Sequence, residues 1–349
     1  MAVADKRQES NPGAEIAKIK TPVKGTSLWS DAWRRLRRNK LALLGGVIIL
    51  LAILVALFAD VLAPRPFSQQ ILADHDTVPE WVTVLFPSMV PVEDGGFIVI
   101  NNNYTLGADN LGRDLLSRII YGTRVSLLVA FVGPLVALLF GTTVGLVSGY
   151  MGGLIDNLLM RFVDIMYAFP TLLFVILLLA FFRSSVAQPE PGSFSAAIAN
   201  LDRASGGMLF VFAGIGLTSW MNLARLVRGQ ILSVREKEYI EAARSVGVGT
   251  RGIMFRHMLP NILGPIIVAE TLTIPTYISY EAFLSFIGLG VQQPTPSWGS
   301  MIAEGARSIS SYPNQAIFPA VALFLVMFAF NFLGDGLRDA LDPRMRGID

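Results

Sequence analysis

Apolar residues gather along the chain into runs of about 20 residues that charged residues seldom interrupt. A helix of about 20 residues crosses the roughly 30 Å hydrocarbon core of a bilayer, because each helical residue rises about 1.5 Å. The runs cover residues 41–63, 125–148, 158–182, 208–227, 259–288 and 317–334. These six runs predict an all-α integral membrane protein with six transmembrane helices.

The fourth and fifth runs are the least uniform. Their polar or helix-breaking residues are Ser219, Asn222 and Arg225 in the fourth run and Pro265, Glu270, Pro275 and Glu281 in the fifth. Proline and glycine are tolerated in membrane helices where neighbouring helices satisfy the freed backbone groups. We therefore count both runs as spans.

The first run directly follows the basic stretch 33–40. This order is typical of a signal anchor that remains in the membrane. A cleaved signal peptide has a short polar lead and an apolar region of about 7–15 residues, and this chain exceeds both limits. We therefore predict that residues 41–63 form the first transmembrane helix.

Lys and Arg residues set the predicted orientation, because short loops rich in them stay on the cytoplasmic side. The richest segments precede the first run, join the fourth to the fifth, and follow the sixth; they contain Lys6, Arg7, Lys18, Lys20, Lys24, Arg34, Arg35, Arg37, Arg38, Lys40, Arg225, Arg228, Arg235, Lys237, Arg244, Arg251, Arg256, Arg338, Arg344 and Arg346. We predict that the tails 1–40 and 337–349 and the loop 228–259 are cytoplasmic. Residues 64–124 are then extracytoplasmic, and residues 125–336 form a five-helix core.

Composition narrows the class of function. With 53% hydrophobic and 15% charged residues, the chain is more apolar than a soluble protein requires. A net charge of only +2 does not indicate a nucleic-acid-binding surface. The absence of cysteine excludes disulfides and thiolate chemistry. The two histidines, His75 and His257, lie on opposite predicted membrane faces, so we expect no histidine metal site. No lysine follows a glycine, so the chain has no phosphate-binding loop, and any ATP must bind another chain.

The loop 228–259 carries the most informative pattern. It predicts a charged helix, a turn around Gly247 and Gly249, a second short helix, and a proline in the first turn of the fifth span. The small residues Ala242 and Ala243 permit close approach by another surface. Glu241, with Arg244 or Arg235, offers charges for docking. Periodicity alone leaves a solvated cytoplasmic loop equally open.

The order of residues in this loop resembles the EAA motif of ABC importer permeases. Glu241-Ala242-Ala243 is followed after three residues by Gly247, and Leu259-Pro260 follows at the expected distance. The histidine at 257 stands where the general motif commonly has isoleucine and where the peptide-importer branch often has histidine. The resemblance implies that an ATPase is coupled through Glu241, Ala242, Ala243, Arg244, Gly247, His257 and Pro260.

Further segments resemble the C-type permeases of the dipeptide/oligopeptide/nickel branch. They are residues 107–118, 281–299 and 334–343. Ala108 replaces a usual threonine, which leaves the surrounding pattern of glycine, aspartate and arginine intact. The resemblance covers residues 27–66 and 104–346, whereas residues 67–103 look like an insertion.

The resemblance implies a type I ABC importer permease fold in the bacterial cytoplasmic membrane, with the EAA segment as a cytoplasmic coupling helix. It implies as partners a homologous B-type permease subunit, two ATPase subunits that hold ATP and Mg, and an extracytoplasmic peptide-binding protein. This chain itself would be non-catalytic and would bind no cofactor. The implied cargo is a di- or oligopeptide; nickel chelates and other small solutes stay open, because importers of these cargoes share the same motifs.

Ionisable residues inside the spans are costly and usually face a pathway or a partner. Eleven residues, close to three helical turns, separate Glu270 from Glu281, so both are expected on one face of the fifth span. Lining of the translocation pathway and structural pairing are equally open for these two residues. For Asp164 we expect an ion pair with Arg161 at i,i+3.

Small residues mark one face of the second run. Gly141, Gly145 and Gly149 recur at every fourth residue. Glycines at this spacing let a neighbouring helix approach closely. We expect this face to pack against another span.

Other classes of function also stay open. A secondary transporter would use the intramembrane acids to carry protons or bind sodium, but it gives no account of the EAA segment. An enzyme would need a site in the insertion, and the candidate residues there are Asp74, His75, Asp76 and Glu80. A solvated turn explains these four better, since residues 81–84 and 97–100 are typical of packing or strand segments. The insertion is also a candidate contact for the binding protein.

Overall fold

The computed structural model describes residues 28–342; residues 1–27 and 343–349 of the predicted tails lie outside that range. Within it the secondary structure is helical apart from three isolated β-bridges, which confirms the prediction of an all-α protein. The helices of eight or more residues are α1 (Leu28–Arg38), α2 (Lys40–Leu57), α3 (Leu115–Val136), α4 (Thr142–Met151), α5 (Gly153–Ala168), α6 (Thr171–Ser185), α7 (Phe194–Ala204), α8 (Leu209–Arg235), α9 (Glu238–Ser245), α10 (Leu259–Phe286), α11 (Trp298–Ala306) and α12 (Asn314–Leu341).

Five helical stretches among the described residues are long and apolar enough to cross a membrane. They are Lys40–Leu57, Leu115–Met151, Leu209–Arg235, Thr250–Phe286 and Asn314–Leu341. A π-helical turn, Ala137–Gly141, joins α3 to α4. Another, Ile253–Met258, follows the short helix Thr250–Gly252 and leads into α10. The pair α5 and α6 makes a sixth candidate span if its two bent helices are taken together.

The 83° bend between α5 and α6 differs from the continuous helix expected over residues 158–182. Phe169 ends α5 with an extended backbone, at φ −89° and ψ 133°. Pro170 follows it, and a residue before proline is sterically disfavoured in the helical region. Run length and hydropathy cannot register this break, because the side chains on both sides of it are equally apolar.

The glycine face of the second run packs against α8, as expected. A Cβ atom added at Gly145 would lie 2.5 Å from the backbone oxygen of Ala224, and one at Gly141 would lie 2.7 Å from that of Trp220. Gly149 lies against the same helix one turn further on. Close approach of the two backbones therefore depends on residues without side chains at these positions.

The insertion is a small packed unit. Its buried core consists of Val78, Val82, Met89 and Ile98. Residues Glu80–Leu85 form a short helix, and single β-bridges join Val78 to Ile100 and Pro91 to Ile98. Both segments expected to pack or to form strands therefore take part in this core. The unit also contacts α12, where the rings of Trp81 and Phe318 stack with centroids 5.8 Å apart.

Two acidic residues of the insertion hold it in place. Asp74 accepts hydrogen bonds from Tyr104 Oη at 2.9 Å and from Asn101 Nδ2 at 3.3 Å. Asp76 accepts one from Gln315 Nε2 at 2.7 Å. These two carboxylates make hydrogen bonds that stabilise the fold, so they do not belong to a purely solvated turn. Within residues 28–342 no group of three or more His, Asp or Glu side chains is placed to hold a metal ion.

A buried cluster of four charges attaches the segment before α3 to α11. Asp109 Oδ2 accepts from Arg113 Nε at 2.7 Å and from Arg118 Nη1 at 2.5 Å. Glu304 Oε2 accepts from both arginines at 2.8 Å. The formal charges cancel. Breaking one partner of such a buried pair typically costs about 3–5 kcal/mol, so the cluster fixes the conformation of this segment.

Candidate coupling surface

Helix α9 follows α8 after a break at Glu236 and Lys237. Lys237 is extended, with φ −85° and ψ 140°, so the chain changes direction between the two helices. Glu238 and Glu241 lie in the first turn of α9 and Arg244 in its last turn. Each charge stands at the end of the helix where the helix dipole favours it. The charged helix expected in this loop is present.

A Schellman motif ends α9. Gly247 has φ +80°, and its N–H donates to the carbonyl oxygen of Arg244 at 2.9 Å. The N–H of Val248 donates to the carbonyl oxygen of Ala243 at 3.0 Å. These two bonds satisfy carbonyl groups that the end of the helix would leave without partners. The turn expected at Gly247 is present, and its left-handed backbone explains the glycine.

One face of α9 is anchored in the protein. Ile240 is fully buried and Ala243 is 7% exposed. Ile240 belongs to a core cluster that contains Val227 and Ile231 of α8 and, beyond the turn, Met258 before α10. The same cluster therefore joins α9 to the end of one predicted span and the start of the next. A displacement of α9 must be transmitted to both, because packed interiors deform little.

The opposite face of α9 is open to solvent. Glu241, Ala242, Arg244 and Gly247 are exposed. Beyond the helix, Val246 has 79% of its surface exposed. The EAA residues are thus divided between an anchored side, which holds Ala243, and a free side, which holds the others.

The charges around α9 have partners that the sequence did not indicate. Arg235 pairs with Glu236 at 3.2 Å, and the guanidinium of Arg244 lies 5.6 Å from the ring centroid of Tyr150 on α4. Glu241 and Arg244 are both exposed, and their role in docking stays a prediction.

The second half of the loop leads into α10. Pro260 lies in the first turn of α10, as expected, directly after the π-helical turn Ile253–Met258. His257 is half-buried, and its backbone oxygen accepts a hydrogen bond from Asn261 Nδ2 at 2.6 Å. Both predicted coupling residues therefore lie on the helical path into the span and not on the exposed face of α9.

Ion pairs near this loop connect α5 to α8. Arg228 binds Asp156 through two hydrogen bonds, and Arg225 binds Asp164 at 2.7 Å. The expected pair of Asp164 with Arg161 is wrong. The partner comes instead from a helix that is distant in sequence, a contact that i,i+3 spacing cannot reveal.

The two acids of α10 are both buried. Glu270 is 6% exposed and lies 3.4 Å from Tyr277 Oη, while Glu281 is fully buried and accepts from Ser285 Oγ at 2.7 Å. The helix is continuous between them although it contains Pro275. Each acid therefore has a polar contact within its own helix, and Glu281 Oε2 is buried without a hydrogen-bond partner among the described residues. Their place in a pathway stays a prediction.

Comparison with known proteins identifies the family. Residues 141–347 match the family model described as "Binding-protein-dependent transport system inner membrane component". Residues 27–79 match the one described as "N-terminal TM domain of oligopeptide transport permease C". The chain belongs to this family of ABC importer permeases. The resemblance to its C-type branch is thereby confirmed.

Relatives of this permease match it over nearly its full length. The oligopeptide transport system permease protein OppC of Escherichia coli (strain K12) is 42% identical over 327 residues, covering 94% of this chain and 95% of the relative. The dipeptide transport system permease protein DppC of Bacillus subtilis (strain 168) is 36% identical, covering 97% and 92%. The glutathione transport system permease protein GsiD of Salmonella paratyphi A is 38% identical, covering 96% and 95%.

A solved structure supports the fold. The MetNI methionine ABC transporter, described in inward facing conformations, contains a chain that aligns with a TM-score of 0.50 and 20% identity. The alignment covers 65% of this permease and 98% of that chain. At this identity the likeness shows the fold alone, and it confirms the expected ABC importer permease fold.

Proposed function

We propose that this permease carries di- or oligopeptides into the cytoplasm by alternating access, driven by separate ATPase subunits that dock on α9. The packing of α9 carries the proposal. Its buried face shares one core cluster with α8 and with the helical path into α10, while Glu241, Ala242 and Arg244 stay exposed. A docking surface needs such an exposed face, and a coupling element needs such an anchor.

The mechanism follows from the separation of α9 into a buried face and an exposed face. ATP binding closes the two ATPase subunits on each other and displaces the docked helix. Because α9 is anchored to α8 and to the start of α10, those helices move with it and shift an equilibrium between inward and outward openings. Glu241 and Arg244 provide charges for the docked surface, and Ala242 and Gly247 let it approach closely. His257 and Pro260 shape the path into α10.

The other subunits are those that membership of the importer family implies. This chain contains no glycine followed by lysine, and in this proposal ATP and Mg bind to two ATPase subunits. A homologous B-type permease completes the pathway, and a peptide-binding protein delivers the cargo from outside. Both termini and the loop 228–259 are cytoplasmic in this proposal, because Lys and Arg concentrate there. Glu270 and Glu281 are its candidate pathway residues.

Uptake by the reconstituted transporter tests the cargo. Vesicles that contain both permeases and both ATPases would be supplied with the binding protein, ATP and labelled peptides. We expect ATP-dependent accumulation of a di- or oligopeptide that unlabelled peptide abolishes and that a nickel chelate or glutathione leaves unchanged. Competition by the chelate or by glutathione alone would assign that solute as cargo. Uptake driven by an ion gradient without ATP would favour a secondary transporter.

A further inference from the structure

Helix α1 is fixed close to the membrane boundary by the covalent chain. It ends one residue before α2, which is a candidate membrane span. The residue between them, Asn39, caps α2 by accepting hydrogen bonds from the N–H groups of Leu41 and Ala42, both at 3.1 Å. The start of the span and the end of α1 are therefore held together in a defined geometry.

One side of α1 packs on the protein. Ala32 is 8% exposed, and Leu36, one turn further on, is half-buried. Leu36 lies against Gly336 of α12, where its Cδ1 atom would be 3.3 Å from an added Cβ. Packing on α12 fixes which face of α1 points away from the protein.

The outer side of α1 combines aromatic and basic side chains. Trp33 is 54% exposed, and the guanidinium of Arg37 lies 4.7 Å from its ring centroid. Arg34 of the same helix and Lys40, the first residue of α2, are also exposed. Tryptophan is favoured at the level of lipid headgroups, and guanidinium groups bind phosphate with bidentate geometry.

We propose that Trp33, Arg34, Arg37 and Lys40 form a binding surface for the headgroups of anionic phospholipids. Charge complementarity selects this occupant, since Arg37 lies over the exposed indole of Trp33 and two further exposed cations, Arg34 and Lys40, occupy the same short stretch before the span. Basic residues beside an anionic membrane surface each contribute to binding, and the aromatic ring anchors the helix at the interface. The proposal depends on the membrane location of the chain and is independent of cargo and of coupling through α9.

Native mass spectrometry of the purified, delipidated full-length chain in detergent tests this surface, with phosphatidylglycerol as the probe. We expect at least one tightly bound phosphatidylglycerol and no equivalent binding of phosphatidylcholine. The variant Arg34→Gln/Arg37→Gln should weaken the tightest binding roughly 25-fold, about fivefold per charge. The variant Arg34→Lys/Arg37→Lys, which keeps both charges but loses the bidentate geometry, should bind more tightly than the glutamine variant and less tightly than the wild type.

The control variant is Arg251→Gln/Arg256→Gln, which removes two exposed arginines from the coupling loop and should leave the tightest binding unchanged. Unchanged phosphatidylglycerol binding by Arg34→Gln/Arg37→Gln, in a variant with native helix content, would overturn the proposal. The assembled transporter separates lipid from protein as the occupant. Loss of the ATPase subunits from that variant, with lipid binding intact, would assign the surface to a protein partner instead.

Discussion

Arg228 of α8 holds the carboxylate of Asp156 on α5 with two parallel bonds, Nε to Oδ1 at 2.5 Å and Nη2 to Oδ2 at 2.6 Å. Ser148 of α4 donates to the same Oδ1 atom. Three helices therefore meet at one carboxylate that is only 9% exposed. The contact lies on α8 close to the end that leads to α9.

Removal of this carboxylate should destabilise the transporter more than removal of its exposed counterpart. In Asp156→Asn the guanidinium of Arg228 loses its ionic partner, which we expect to cost about 2 kcal/mol, as for hydrogen bonds to charged groups. The matched control, Asp164→Asn, breaks a pair whose side chains are 41% and 64% exposed, and such pairs contribute less than about 1 kcal/mol. Thermal unfolding of the purified complex measures both. Equal shifts in Tm would contradict the structural role of Asp156.

An added methyl group should lower the thermal stability when it is placed on the glycine face of α4, but not when it is placed on α2. In Gly145→Ala the new Cβ meets the backbone oxygen of Ala224 at 2.5 Å, so α4 and α8 must separate. At Gly46 of α2 an added Cβ meets no atom within 4 Å. Gly46→Ala should therefore keep or raise Tm, since alanine favours helices by up to about 1 kcal/mol over glycine. Retention of the wild-type Tm in Gly145→Ala would show that this face is not tightly packed.

Local patterns predicted local features of this protein well. Run length located the spans, the period of four located the face that packs on α8, and the EAA spacing located a turn where Gly247 adopts φ +80°. These features depend on residues close in sequence, so short windows contain the information.

Contacts between distant segments were not predictable in the same way. Glu304 accepts a hydrogen bond from Arg113, 191 residues away in the sequence. Asp164 forms its ion pair with Arg225 of α8 and not with Arg161 of its own helix. Nothing in the spacing of either pair marks them as neighbours. The bend at Pro170 could have been anticipated from the proline itself, but the apolar run on both sides favoured a single helix.

Single cysteines can test the predicted orientation, because the chain contains none of its own. Glu93→Cys in the insertion and Ser245→Cys at the end of α9 both place the thiol at an exposed position. In intact cells an impermeant thiol reagent should label the chain at position 93 and leave it unlabelled at 245. After permeabilisation both should react. Labelling at 245 but not at 93 in intact cells would reverse the orientation.

The purified chain alone should neither bind nor hydrolyse ATP. The reason is chemical: no lysine of the chain follows a glycine, so a phosphate-binding loop cannot form. Hydrolysis should appear when the ATPase subunits are added. ATP hydrolysis that stays in constant ratio to this chain through successive purification steps would refute the assignment of catalysis to partner subunits.

Reversal of a charge on the exposed face of α9 should weaken coupling without unfolding the protein. Glu241→Lys changes an exposed side chain, so the free energy of unfolding should change by no more than about 0.5 kcal/mol. Peptide uptake per ATP hydrolysed should fall, because the docked surface meets the wrong charge. Glu190→Lys, a reversal at an exposed position in the loop between α6 and α7, should leave that ratio unchanged. A similar fall in both variants would point to a general effect of charge.

The role of α9 as the coupling element is the central claim, and Gly247 offers the sharpest test of it. Gly247 and Gly192, which lies in the loop between α6 and α7, both have φ +80°, and at both an added Cβ meets no atom within 4 Å. A non-glycine residue in this conformation costs about 1–2 kcal/mol at either site. Gly247→Trp and Gly192→Trp therefore carry the same intrinsic strain. They differ in whether the indole stands on the proposed docking surface or on the loop between α6 and α7.

The decisive measurement is peptide uptake together with binding-protein-stimulated ATP hydrolysis by the reconstituted four-subunit transporter containing Gly247→Trp. We predict that this variant inserts, pairs with its sister permease and shows neither stimulated hydrolysis nor uptake, while Gly192→Trp retains both. Normal uptake and normal stimulated hydrolysis in a fully assembled Gly247→Trp transporter would contradict the account and remove α9 as the coupling element.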